Sequence, residues 1–132
     1  MNKEELLRLA FEAMENAYAP YSNFHVGACV LCNDGNYFIG ANIENASYGL
    51  TNCGERTAIF ATYAHGYRKE DISAIAIVCD GREIACPCGA CRQVLSELLL
   101  SDTPIYLANK EASRETTITE LLPFAFSAEE LN

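Results

Sequence analysis

Residues 72–79 read Ile-Ser-Ala-Ile-Ala-Ile-Val-Cys, a short run in which nearly every side chain is apolar. A run of this length, with several β-branched residues, is suited to a strand that is buried on both faces. We therefore predict a buried strand here and place the other elements of the chain around it.

Two helices and a hairpin are predicted before this strand. Apolar residues recur at helical spacing in the first segment, which Ala19-Pro20 ends, and Gly66 stops the second helix. The sequence Asn33-Asp34-Gly35-Asn36 separates two stretches of β-forming residues and is a hairpin turn signal. The predicted elements are a helix over 3–16, strands over 24–32 and 37–42, and a helix over 53–65.

The chain after this strand continues the alternation of helices and strands. A helix starts near Cys88, and Thr117 and Glu120 have the spacing of a capping box before a last helical turn. The order of elements predicts an α/β fold in a single domain over 1–132, a three-layer α-β-α sandwich around a mixed five-stranded sheet. The two further strands are predicted over 105–108 and 115–118.

The charge balance argues against a nucleic-acid partner. The chain carries 9 Lys and Arg against 18 Asp and Glu, a formal net charge of −9, and has no basic run to neutralise phosphates. A small, roughly neutral substrate suits this surface better. No apolar stretch is long enough to span a bilayer, and residues 1–5 lack an apolar signal core. We therefore expect a cytoplasmic protein without a membrane partner.

Seven cysteines, an odd number, suggest a metal site rather than a set of disulfides. Cys53 starts one predicted helix, while Cys88 and Cys91 are three residues apart in the first turn of another. Each of these helices follows a strand, so both starts are expected along one edge of the sheet. The positive end of a helix dipole favours the thiolate form that metals bind.

Three thiolates leave one position of a tetrahedral Zn²⁺ open, which is typical of catalytic rather than structural zinc. A water molecule at that position becomes a hydroxide near neutral pH. Glu55, two residues after Cys53, is then placed beside the metal as a base and acid rather than as a ligand. The spacing by itself predicts a catalytic zinc site with an acid–base glutamate.

Two arginines are candidates to withdraw charge from the ligand sulfurs through hydrogen bonds, or to form ordinary helix salt bridges. Arg56 is three residues from Cys53, and for it we expect the contact to sulfur. Arg92 adjoins Cys91, and for it both interpretations stay open.

The remaining cysteines and both histidines are expected to be structural, apart from Cys86, whose role stays open. Cys29 and Cys32 also form a C-x-x-C pair, but three residues apart in a strand they point to opposite faces. His25 and His65 show no ligand spacing.

Five motifs, taken together and in their order along the chain, resemble those of the cytidine deaminase family, and the resemblance covers nearly the whole chain. Cys53-Gly54-Glu55-Arg56-Thr57-Ala58 resembles the first zinc motif of that family, and Pro87-Cys88-Gly89-Ala90-Cys91-Arg92-Gln93 resembles the second. The ribose-binding segment and the terminal signatures are matched by Asn42-Ile43-Glu44-Asn45-Ala46, Tyr18-Ala19-Pro20-Tyr21-Ser22 and Leu121-Leu122-Pro123.

The resemblance implies a zinc-dependent hydrolase, with one Zn²⁺ per subunit on Cys53, Cys88 and Cys91. In that mechanism a zinc-bound hydroxide attacks C4 of the cytosine ring, and Glu55 carries protons to N3 and to the leaving ammonia. The products are uridine or 2′-deoxyuridine, formed from free cytidine or 2′-deoxycytidine in pyrimidine salvage.

The resemblance also implies the residues that bind the substrate. Asn42 and Glu44 hold the ribose hydroxyls, and Phe24 packs against the base. Short members of the family are homotetramers with shared active sites, and by motif position Phe126 closes the site of a neighbouring subunit. Tyr48 is a further candidate near a shared site.

Other functions are weighed against this one. A deaminase of a modified cytosine nucleoside, of the blasticidin type, is the alternative enzyme, although Asn42 and Glu44 favour an ordinary ribose. Cys53 stands where deaminases of free bases or tRNA usually have histidine, which argues against those classes. A structural zinc or interaction module has no need of Glu55. The chain departs from the family in Gly54, where alanine is common, and in Cys86, where a small polar residue is frequent.

Overall fold

The computed structural model describes residues 1–131, and every helix and strand predicted from the sequence is present in it. No helix in this part of the chain is long and apolar enough to cross a membrane. Short 3₁₀ turns lie at Tyr48–Leu50, Lys69–Asp71 and Ala128–Leu131. The main elements are α1 (Lys3–Met14), β1 (Val26–Cys32), β2 (Tyr37–Ala41), α2 (Gly54–Ala64), β3 (Ile72–Cys79), α3 (Gly89–Leu98), β4 (Ile105–Ala108), β5 (Ser113–Thr116) and α4 (Ile118–Leu121).

The five strands form one mixed sheet in the order β2-β1-β3-β4-β5. The predicted buried strand, β3, lies in the middle of it. Strand β1 is antiparallel to both β2 and β3, β3 is parallel to β4, and β4 is antiparallel to β5. The mixed five-stranded sheet of the prediction is confirmed.

Helices cover both faces of the sheet and bury two separate apolar cores. Helix α1 packs on one face with Leu6, Leu9 and Ala10. Helices α2 and α3 pack on the other face, where the core is larger because β-branched side chains of β3 and β4 fill it. The prediction of a three-layer α-β-α sandwich is therefore confirmed. The larger core, on the face covered by α2 and α3, includes Val30, Ile59, Ile75, Ile77, Leu95, Ile105 and Leu107.

The C-terminal part of the prediction needs correction. Strand β5 begins at Ser113, two residues before the predicted start, and α4 follows it almost directly. The predicted capping box is wrong, because the Thr117 side chain makes no cap hydrogen bond. The hydroxyl of Thr116 instead lies 3.3 Å from a carboxylate oxygen of Glu120.

Two glycines allow the helices to approach the sheet closely. A Cβ atom at Gly27 would lie 2.1 Å from the backbone oxygen of Ala10 in α1. A Cβ atom at Gly40 would lie 2.4 Å from the backbone nitrogen of Ala58 in α2. Only a residue without a side chain leaves room for backbone against backbone at these two crossings.

We expect Gly40→Ala to lower the free energy of unfolding by about 3 kcal/mol, because α2 must move away from β2 to admit the methyl group. Urea unfolding followed by circular dichroism, at matched protein concentrations, measures this change. Gly49→Ala is the control, because nothing lies within 4 Å of a Cβ atom there. Equal unfolding free energies for the two variants would contradict the close approach of α2.

Candidate metal centre and adjoining cleft

Helices α2 and α3 each have a cysteine at the N-cap position. Cys53 caps α2 and Cys88 caps α3, both with extended backbone, and neither side chain bonds to the helix backbone. Their thiols are therefore free to point away from the helix starts. Cys91 lies in the first turn of α3 and is fully buried.

The register of the sheet brings these two helix starts together. At one end of β1, Gly27 pairs with Ala41 at the end of β2, and Val26 pairs with Cys79 at the end of β3. Strands β2 and β3 thus run in the same direction on either side of β1 and end at the same level. The connections to α2 and α3 leave the sheet side by side.

Three sulfur atoms meet at this point. The Sγ atoms of Cys53 and Cys88 are 4.0 Å apart, those of Cys88 and Cys91 are 3.4 Å apart, and all three lie within 4.8 Å of one another. Tetrahedral zinc with Zn–S bonds of about 2.3 Å needs sulfur atoms about 3.8 Å apart. The donor set and its spacing therefore fit a Zn²⁺ ion with one open position.

The sulfur cluster is electrostatically coupled to its surroundings. Hydrogen bonds from the Cys91 thiol and from Arg56 lower the pKa of Cys53, whereas the pKa of Cys91 is raised mainly by its interaction with Cys53. Nη2 of Arg56 donates to the Cys53 sulfur at 3.3 Å, the contact expected from the sequence. This guanidinium offsets part of the negative charge of the thiolates.

Glu55 lies next to the sulfur cluster, in the first turn of α2, and is only 5% exposed. Burial raises the pKa of its carboxyl group to about 7. A carboxyl group with a pKa near neutrality exchanges protons readily under physiological conditions, which suits a general acid and base.

Arg92 follows neither of the two interpretations left open by the sequence. Its Nε donates to the Pro87 carbonyl at 2.7 Å, and its Nη1 donates to the Leu121 carbonyl at 2.7 Å. Within residues 1–131, these bonds reach backbone carbonyls rather than a sulfur of the cluster or a carboxylate. Arg92 thereby joins the loop before Cys88 to the end of α4.

A cleft of about 220 Å³ opens beside the sulfur cluster. Asn42 and Glu44, 7% and 4% exposed, lie on its wall together with Phe24. The fold thus places Asn42, Glu44 and Phe24, three residues singled out from the sequence, around one cavity. Its lining includes Ser22, Phe24, Val26, Asn42, Glu44, Tyr48, Thr51, Cys53, Glu55, Cys86 and Cys88.

Both polar residues of the wall are held by the segment that precedes β1 and, for Asn42, also by the first residue of β1. Asn42 accepts a hydrogen bond from the Val26 N–H at 2.8 Å and donates to the Phe24 carbonyl at 2.8 Å. Glu44 accepts two backbone N–H groups, from Tyr21 at 3.0 Å and from Ser22 at 3.1 Å. These contacts fix both side chains before any ligand binds.

Phe126 lies outside the cleft of its own chain. Its side chain is 58% exposed, and its backbone carbonyl accepts a hydrogen bond from Gln93 of α3 at 3.0 Å. Tyr48 lines the cleft but is 57% exposed. Both aromatic rings are therefore available to a neighbouring molecule.

The other cysteines and the histidines take no part in the sulfur cluster among residues 1–131. Cys29 packs in the core beneath α1, and Cys86 is exposed at the rim of the cleft. His25 pairs with Asp80, and His65 donates to the Ala61 carbonyl at the end of α2.

Two residues that hold the walls of the cleft were not predicted from the sequence. The buried amide of Asn109 donates to the carbonyls of Gly81 and Arg82, which tethers the loop between β3 and α3. Ser22 bonds to Glu44 through its hydroxyl as well as its N–H. Both residues form hydrogen bonds to groups more than 20 residues away in the sequence, and no local pattern reveals such bonds. Ser22 does lie within the motif at residues 18–22, but that motif does not indicate its contact with Glu44.

Gly54, where the resemblance expects alanine, stands at a tight crossing. A Cβ atom there would lie 3.1 Å from a methyl carbon of Val26 and 3.2 Å from its backbone oxygen. The glycine allows the start of α2 to lie close to the first residue of β1.

Comparisons with known proteins agree with this geometry. Residues 1–107 match the family described as the cytidine and deoxycytidylate deaminase zinc-binding region. The chain is 53% identical to a cytidine deaminase of Halalkalibacterium halodurans, over 100% of this chain and 99% of that protein. It is 46% identical to a cytidine deaminase of Sporosarcina psychrophila, over 100% of this chain and 96% of that protein. Its structure is similar to a crystal structure of cytidine deaminase from Burkholderia pseudomallei, with a TM-score of 0.92, 50% identity, and coverage of 96% of this chain and 100% of that one.

We expect the purified protein to hold about one Zn²⁺ per chain, and Cys88→Ser to lower zinc affinity by at least roughly 100-fold, because a ligand sulfur is lost. Metal analysis after dialysis against a graded series of chelator concentrations measures both. Cys86→Ser is the matched control, since this thiol lies two residues away but outside the sulfur cluster. Equal zinc retention by the two variants would contradict the assignment of the ligands.

Proposed function

The chain belongs to the cytidine and deoxycytidylate deaminase family, and from this membership we propose that it hydrolyses free cytidine and 2′-deoxycytidine to uridine and 2′-deoxyuridine with release of ammonia. The observation that carries the proposal is the buried Glu55 beside three converging thiols at a cleft of about 220 Å³. The family has an enzymatic activity, so the alternative of a structural zinc module falls away.

The thiols of Cys53, Cys88 and Cys91 would hold a zinc ion, which when bound supplies a water molecule activated for attack at C4 of the cytosine ring. Glu55 is proposed to transfer the protons of this reaction. Its carboxylate takes one proton from the attacking water and passes it to ring N3. It then takes the second proton, from the hydroxyl group now on C4, and gives it to the amino group, which leaves as ammonia while C4=O forms. Burial supports this role, because it keeps the protonated and ionised forms of Glu55 close in free energy.

Asn42 and Glu44 are proposed to bind the ribose hydroxyls. The amide of Asn42 keeps one N–H and one oxygen lone pair beyond its two contacts within the chain, and the carboxylate of Glu44 keeps further lone pairs. Hydroxyl groups of a sugar match both. Phe24 lies on the same wall and is proposed to pack against the base.

A homotetramer with shared active sites is the proposed assembly. The exposed aromatic rings of Phe126 and Tyr48 support it, because exposed aromatic side chains are typical of surfaces that bind a partner. Phe126 is proposed to close the cleft of a neighbouring chain. Its attachment to α3 through Gln93 would couple that contact to the zinc-binding helix.

The proposed setting is pyrimidine salvage in the cytoplasm. All seven cysteines are free, which fits a reducing compartment. The substrate is a small molecule rather than a nucleic acid, because the net charge of −9 and the lack of a basic run disfavour binding to phosphate chains.

We expect the zinc-loaded protein to convert cytidine to uridine, and Glu55→Gln to lower kcat by at least roughly 10³-fold, because the amide cannot shuttle protons. Ultraviolet absorbance of cytidine measures turnover. Glu111→Gln, which changes an exposed carboxylate in the β4–β5 turn, is expected to leave kcat unchanged. If the folded wild type with one zinc per chain leaves cytidine intact, ordinary cytidine is rejected as a substrate, and blasticidin-type nucleosides are tested next.

We expect light scattering to give about four times the 14.5 kDa chain mass, and Phe126→Ala to raise the KM for cytidine by roughly 3- to 10-fold, because an aromatic contact to the substrate is lost. Tyr37→Ala removes an exposed aromatic ring on β2 and serves as the control. A monomer in solution, or an unchanged KM in Phe126→Ala, would contradict the shared site.

A further inference from the structure

The hydroxyl group of Ser22 contacts two residues of the cleft wall, Glu44 and Phe24. It donates a hydrogen bond to Oε2 of Glu44 and accepts one from the backbone N–H of Phe24 at 3.0 Å. A serine hydroxyl has a single donor, so Glu44 takes all of its donor capacity. The Ser22 side chain therefore contacts both the carboxylate of Glu44, at the proposed sugar end, and the backbone of Phe24, at the proposed base end.

The orientation of the Glu44 carboxylate depends on Ser22 more than on any other residue. The N–H of Ser22 bonds to Oε1 at 3.1 Å while its hydroxyl bonds to Oε2, so both oxygens are held by one residue. The Tyr21 N–H adds a third contact, to Oε1. The hydroxyl of Ser22 is also the main reason that the pKa of Glu44 is lowered, which keeps this carboxylate ionised as an acceptor.

The position of Phe24 depends on the same group. Asn23 has a φ of 57°, a left-handed conformation that asparagine tolerates, and it turns the chain so that the Phe24 N–H faces back to Ser22. The carbonyl of Phe24 is held by Asn42. The backbone of Phe24 is thus fixed on both sides by residues of the sugar end.

We infer that Ser22 is a positioning residue that couples Glu44 to Phe24, so that the site is preorganised for a base with an attached sugar rather than for a free base. The assignment of Glu44 to the sugar and Phe24 to the base rests on the proposed function. Ser22 itself need not touch the reacting atoms. Removing its hydroxyl leaves the carboxylate with backbone donors alone and releases the Phe24 N–H.

The test compares Ser22→Ala with Ser22→Thr, which keeps the hydroxyl and adds a methyl group at an exposed position. We expect Ser22→Ala to lower kcat/KM for cytidine by roughly 10-fold, because a hydrogen bond to a charged group is lost. Ser22→Thr is expected to stay within about threefold of the wild type. Ser113→Ala, which removes an exposed hydroxyl on β5, should leave kcat/KM unchanged.

A double-mutant cycle separates positioning from a general loss of structure. If Ser22 acts through Glu44, Ser22→Ala should cost less than about threefold in a Glu44→Gln background, because the effects of coupled residues are not additive. Fully additive losses, or a loss in Ser22→Thr as large as in Ser22→Ala, would overturn the inference.

A titration of Glu44 tests the contact without relying on turnover. Carboxyl ¹³C NMR, with the Glu44 signal assigned by its absence in Glu44→Gln, should show a raised pKa of Glu44 in Ser22→Ala and no rise in Ser22→Thr. An unchanged pKa in Ser22→Ala would overturn the inference even in an active enzyme. A wild type that fails to convert cytidine would instead reject the proposed function, while the titration still decides whether Ser22 holds Glu44.

Discussion

The level at which β2 and β3 end is the constraint on which the rest of the site depends. Both strands are antiparallel to β1 and stop opposite its first two residues, so the chain leaves the sheet twice at the same place. Because a helix begins directly after each exit loop, two helix N-termini meet there, and Cys53 and Cys88 cap them. Glu55 and Arg56 take their positions from the first turn of α2 and need no further element to bring them to the sulfur atoms.

The loops around the cleft are fixed by long-range hydrogen bonds rather than by helices or strands. Asn109 holds the start of the β3–α3 loop, and Arg92 holds its end through the Pro87 carbonyl. Asn42 and Glu44, which also line the cleft, are bonded to the segment before β1. A site whose polar groups are oriented before the substrate arrives loses less conformational entropy on binding, which is the advantage of preorganisation.

The sequence predicted the regular elements better than the contacts between them. Strands β3 and β4 have the predicted bounds because a continuous apolar run needs no tertiary partner to be recognised. The three cysteines of the sulfur cluster were equally accessible to prediction, since cysteines at two helix starts form a pattern of spacing. The contacts of Arg92 follow no such pattern. Its acceptor at Leu121 is 29 residues away and is a backbone carbonyl, which every residue type possesses. Thr117 had the right spacing for a cap, but Thr116 makes the contact to Glu120 instead.

The charges of the cleft bear on the distinction between a nucleoside and a nucleotide. Among the residues described, no lysine or arginine lines the cleft, and Glu44 carries a carboxylate at its proposed sugar end. A 5′-phosphate placed near that carboxylate would meet like charge without a cation to offset it, and like charges at short range in a partly buried site are costly. The guanidinium group of Arg56 donates to the sulfur of Cys53. The charge of the cleft therefore supports the proposal that the substrate is a neutral nucleoside rather than deoxycytidylate.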